Sequence, residues 1–238
     1  FEFLGQDYIK EKFKEKGFEN SRIVHRLSTS NSKNLNTKKV LFFTEDSTLV
    51  FRSFNKKSNS LQLKNTMLGK GFYDESGNLI NEAMDFSEKN FISINDLHEM
   101  TQRLFYAGNF KEKERFNLTE DQFELVKKAM STVPSELNLD PDEYADNYVK
   151  FFSRRDNKTN TKEDELEIYN KVGTAYGQLT ETALIISKNN TIILTATMTV
   201  NENQLYNDDV YEYDSIGIPF FSTLSKEILN LLLSGNYE

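Results

Sequence analysis

The chain has no cysteine, which excludes thiol catalysis, disulfides and thiolate metal sites. Histidine is almost as scarce. His25 and His98 are the only two, they lie far apart, and neither has ligand-spaced partners, so no metal site is expected. No apolar run approaches the ~20 residues that a membrane-spanning helix needs, and no signal-peptide pattern opens the chain. Basic charge is lacking too. Against 37 Asp and Glu stand 29 Lys and Arg, a net charge of −8, which argues against nucleic acid or an anionic membrane as partner. No cofactor is expected. Phe1 stands where a complete chain has Met, which suggests a processed or truncated protein, and the absence of cysteine fits an exported bacterial one.

What is present describes a soluble globular protein. Hydrophobic residues make up 37% and charged residues 28% of 238, enough for one domain or two small ones. Residues 166–201 organise the rest. They predict three consecutive strands over about 168–175, 180–187 and 191–200, with Lys188, Asn189 and Asn190 as a hairpin turn. β-Branched and aromatic residues dominate, so this sheet is expected to be central. Lys171 is out of place in it. A lysine inside a buried strand either reaches solvent along its stem or faces an anion; taken alone, the first is the plainer reading. Gly173, two residues on, removes a side chain and lets another group approach the backbone.

Upstream, residues 7–16 predict a helix with Tyr8, Ile9 and Phe13 inward and Gly17 as its stop. Residues 22–27 read as a short extended run, followed by a polar loop. Two strands flank Glu45, Asp46 and Ser47. Residues 55–92 read as mostly irregular, with a further turn inside 70–80. Helices are expected after Ser93, after Thr119 and from Asp140-Pro141, the last burying Tyr144, Tyr148, Val149 and Phe152. His98 is expected at the surface. Residues 154–163 read as a solvated loop, and Asp208, Asp209, Glu212 and Asp214 as an acidic connection without calcium-loop spacing. A closing helix over 220–234 is expected to face the sheet with Leu224, Ile228, Leu231 and Leu232, and to stop at Gly235.

Lys171-Val172-Gly173-Thr174 on a strand, followed by a hairpin and a closing helix, resembles the lysine strand of penicillin-recognising serine enzymes: class A β-lactamases and penicillin-binding transpeptidases and carboxypeptidases. The opening 28 residues, FEFLGQDYIKEKFKEKGFENSRIVHRLS, are similar to the family's segment leading into its Ω-loop. The wording is closest to β-lactamase-related serine hydrolases of Bacteroidota-type bacteria. The resemblance implies an α/β (α+β) chain: the three-strand C-terminal part of an antiparallel sheet with packed helices, plus a helical subdomain. Residues 1–160 would be the later part of that subdomain, with an inserted hairpin. Residues 161–238 would be the sheet strands and closing helix.

The resemblance also implies roles. Lys171 would hold the substrate carboxylate and aid proton movement. The Thr174 backbone N–H would form half of an oxyanion hole, worth ~3 kcal/mol in the transition state. Gly173 and Tyr176 would line the substrate cleft, and Arg26 would anchor the loop. The substrate would be a β-lactam or a peptidoglycan stem peptide, and the location periplasmic or cell-envelope. Two departures bear on activity. The family's hydroxyl between lysine and glycine is here Val172, and no carboxylate follows Arg26 before Glu45, so a slowly deacylating enzyme is expected. The nucleophile's Ser-x-x-Lys occurs only at Ser30–Lys33 and Ser53–Lys56, neither opening an apolar helical stripe. The nucleophile is therefore expected upstream of this chain. The alternative is a non-catalytic peptidoglycan- or ligand-binding relative of the same fold.

Overall fold

In the computed structural model, described over residues 5–26, 40–51, 63–152, 166–187 and 190–234, the chain is mixed α+β. The polar loops expected after Arg26 and over 154–163, both Ser-x-x-Lys strings, the Lys188-Asn189 turn and the Gly235 stop lie outside those residues.

Helix α1 (Gly5–Glu15) carries Ile9 and Phe13 half-buried, but Tyr8 is exposed rather than inward. Gly17 ends it at φ +82°, its N–H donating to the Lys14 carbonyl while Phe18 N–H returns to Phe13. That reversal, which favours glycine, drops Phe18 into the interior against Phe13 and Phe116. Strands β1 (Val40–Phe43) and β2 (Thr48–Phe51) form the expected hairpin. Residues 67–85 are not irregular, as expected, but hold four short strands: β3 (Met67–Leu68), β4 (Gly71–Tyr73), β5 (Leu79–Ile80) and β6 (Met84–Asp85). Elements of two or three residues are too short to display a period of two, so the pattern was invisible.

Helix α2 (Ile94–Phe105) starts at Ser93, whose hydroxyl accepts from Asp96 N–H at 3.0 Å. Helix α3 (Glu120–Ser131) starts at a reciprocal Thr119–Gln122 capping box. Both starts follow ordinary capping chemistry. The helix expected from Asp140 does not form. The chain makes turns and a single 3₁₀ turn at Asp146–Tyr148, leaving Tyr144 and Tyr148 exposed, Tyr148 at 55%, while Phe152 is fully buried. The reason lies in the backbone groups of Phe152. Its N–H donates to Glu181 and its carbonyl accepts from Ser225, bonds that a continuing helix would have consumed.

The main sheet is β7 (Leu166–Ala175), β8 (Gln178–Ser187) and β9 (Asn190–Thr199), antiparallel in that order. Among the described strands only β8 is central. The strand bearing Lys171 is an edge among them and Lys171 is exposed, which corrects the expectation of a buried lysine strand. Strand alternation gives the sheet two packed faces. On one, Val172, Leu179, Ala183, Ile185, Leu194 and Met198 meet Phe151, Phe152 and Phe221. The other carries Tyr169, Thr182 and Thr195, and is covered by α2 and α3. His98 of α2 is half-buried there rather than at the surface, its Nδ1 2.9 Å from the Thr195 hydroxyl.

Strand β10 (Leu205–Tyr206) pairs with β4 outside the main sheet. A π turn at Tyr213–Gly217 then feeds α4 (Ile218–Ser234). Gly217 is required at the entry because a Cβ there would lie 2.6 Å from Leu179. The buried stripe of α4 is Phe221, Ser225 and Leu229, four apart; Leu231, expected to face the sheet, is 55% exposed. Among the described residues no helix is long and apolar enough to cross a membrane, and no cluster of acidic or histidine side chains could hold a metal.

Candidate functional site

The two-residue turn Tyr176-Gly177 joins β7 to β8, with φ of +55° and +75° at its two positions. In such a hairpin the flanking pair exchanges both backbone bonds and every second pair does so after it. The Ala175–Gln178, Gly173–Thr180 and Lys171–Thr182 pairs therefore bond inward. Val172 and Thr174 are left with N–H and C=O directed away from β8, along an edge to which no described strand pairs. The Lys171 ammonium donates to the Val172 carbonyl. A Cβ built at Gly173 would meet nothing within 4 Å. Lys171, Gly173 and Thr174 thus lie together on an exposed, donor-bearing edge, Lys171 and Gly173 on the α2–α3 face and Thr174 on the other.

Tyr176 stands at the end of this edge. Its ring packs edge-on against Phe86 at 5.3 Å and near Tyr206 at 6.5 Å. Its hydroxyl accepts from Lys89 Nζ at 2.6 Å. The segment bearing Lys89 is stitched to the segment ending at Arg26. Arg22 donates to the carbonyls of Ser87 and Lys89, Arg22 and Phe91 exchange backbone bonds, and Asn90 bonds the backbone of Val24 and His25. Arg26 itself is buried, and His25 serves this stitching through its Nε2, which accepts from Asn90 N–H. The structure therefore links the stretch near Arg26 to the tip of the Lys171 strand through Lys89, a residue the sequence did not single out.

On the opposite face lies a second polar constellation. Glu181 is 0% exposed, in mid-β8. Its carboxyl accepts from Phe152 N–H at 2.7 Å and from Asn170 Nδ2 at 2.5 Å. Asn170 Oδ1 accepts from Lys150 Nζ at 2.7 Å, and Lys150 also donates to the carbonyls of Met130 and Ile168. Burial pushes the Glu181 carboxyl up to about 8, against the opposing pull of Phe152 N–H, Asn170 and Lys150. Burial thus favours the protonated form of the acid. The sequence signal was one carboxylate inside an otherwise uncharged run, TETALIIS. A raised carboxyl invites a catalytic reading, but both oxygens are spoken for by the protein's own donors. The constellation ties the 149–152 segment to β7, β8 and α4. A cavity of about 340 Å³ lies by the other sheet edge, lined by His98, Gln102, Tyr106 and Thr191, away from Lys171.

No family model, curated protein or solved structure matches the chain.

Proposed function

We propose that this chain supplies the sheet edge and closing helix of a penicillin-recognising serine acyl-transfer enzyme. The supporting observation is the outward-directed Thr174 N–H on an edge to which no described strand pairs, three residues after Lys171 and next to an unobstructed Gly173. An acyl group lying along that edge finds a backbone N–H for its developing oxyanion. A cation on the adjoining face raises the positive potential where a serine must lose its proton. The antiparallel β7–β8–β9 order with α4 packed on β9 is the arrangement the resemblance implies for the end of such an enzyme.

No Ser-x-x-Lys opens a helix among the described residues, so the reading assigns the nucleophile to sequence outside them. In that enzyme the substrate is a β-lactam or a peptidoglycan-peptide amide, the location is the cell envelope, and Val172 weakens the hold on the substrate carboxylate. Fluorescent penicillin labelling of the complete gene product tests the reading. A covalent adduct lost in Lys171→Met supports it; no adduct at millimolar probe removes it. A non-catalytic relative is favoured by one observation, that among the described residues the Lys171 ammonium bonds its own strand's Val172 carbonyl and no acid, and predicts penicillin binding without labelling.

A further inference from the structure

Two cations flank the Val172–Ala175 part of the β7 edge, to which no described strand pairs. Lys171 precedes it on the strand, and Lys89 sits beyond its tip, on the Tyr176 hydroxyl. Tyr176 lies five positions beyond Lys171, about 16 Å in extended geometry. Between them lie the outward N–H groups of Val172 and Thr174.

The Lys89–Tyr176 pair has the character of a binding element. Tyr176 occupies the first position of a turn whose positive φ favours asparagine or glycine. A tyrosine there is strained by roughly 1 kcal/mol. Packing on Phe86 and Tyr206 requires only the ring. The hydroxyl is a separate feature. It accepts from Lys89, and its own proton meets no acceptor among the described residues. Lys89 Nζ has no ion pair among them, and 4.6 Å from the Tyr176 ring it keeps two N–H bonds to give. Arg22 fixes the backbone beneath it. One positive charge and a neutral donor match a singly charged carboxylate better than a phosphate dianion.

We propose that the β7 edge binds an extended ligand carrying two carboxylates, one held by Lys171 and the other by Lys89 with Tyr176. The ligand adds to the edge as a further strand, drawing on the N–H groups of Val172 and Thr174. This deepens the acyl-transfer reading by giving the substrate a second anionic group, on the side of the hairpin tip, but the binding itself requires no chemistry.

The test is equilibrium binding of N-succinyl-trialanine, with a carboxylate at each end, against N-acetyl-trialanine, with one. The expected result is tighter binding of the succinyl peptide by ~10-fold, the scale of one added charge-assisted contact. Lys89→Met, which keeps the stem, and Tyr176→Phe, which keeps the ring, should reduce or abolish that preference while leaving the thermal midpoint unchanged. Equal binding of the two peptides by the unaltered chain, or no binding of either at millimolar concentration, overturns the proposal. So does a Lys89→Met loss that is the same for both. Peptide discrimination without penicillin labelling keeps this proposal and rejects the acyl-transfer reading; labelling without discrimination does the reverse.

Discussion

Two lysines twenty-one residues apart show how differently one charge is used around this sheet. Lys150 is 5% exposed and its ammonium is met by three oxygens, those of Met130, Ile168 and Asn170. Lys171 lies on an edge to which no described strand pairs, and among the described residues its ammonium bonds the carbonyl next to it. The first is embedded in a network whose donors and acceptors answer one another, as a buried charge requires. The second keeps donors to offer. Saturation marks the Lys150–Asn170–Glu181 face as what holds the sheet together. The unspent donors at Lys171, Thr174 and Lys89 mark the edge as what the sheet presents.

The sharpest way to break this contrast is to damage the saturated side. Glu181→Ala strands the Phe152 N–H and the Asn170 amide in the core and should cost about 3 kcal/mol or more in urea unfolding. A loss below 1 kcal/mol would show that the network is not structural. The next effect is pH dependence. Folding raises the Glu181 carboxyl from 4.5 to about 8, so between those values the folded chain holds a proton that the unfolded chain has released. Stability should therefore be fully present below about 4.5 and fall as pH rises to about 8. Glu181→Gln, uncharged throughout, should remove that part of the slope in urea midpoints measured across the same range.

A smaller effect sharpens the other side. Gly177→Ala places a Cβ 2.7 Å from the Val200 carbonyl at a φ of +75°, which should cost roughly 1–3 kcal/mol and loosen the hairpin tip. Lys171→Met should be the mildest for stability, with no measurable shift of the urea midpoint, because nothing in the packed interior depends on that side chain. A substantial loss of stability there would place Lys171 among the structural groups.

The division between these sides also explains what was legible in the sequence. The β7–β9 meander, both capped helices and the closing helix follow from long apolar periodicity and from Ser93 and Thr119 at helix starts. The triplet around Gly173 stood out because a lysine and a glycine interrupt a strand. What was missed depends on long-range partners. The 140–152 segment carries helix-like spacing, yet Glu181 and Ser225, 29 and 73 residues beyond Phe152, claim its backbone. Lys89 is one lysine among many until Tyr176, 87 residues away, receives its proton. The edge position of β7 could not be read either, because half-buried edge and central strands share a composition.

Amide hydrogen exchange along β7 tests the central claim most directly, since it depends on which backbone N–H groups the edge offers. The register predicts rapid exchange at Val172 and Thr174 and slow exchange at Lys171 and Gly173, whose N–H groups face β8. Protection of Thr174 equal to that of Gly173 would mean that its N–H is already taken, and that the edge has no donor to give to an acyl oxygen.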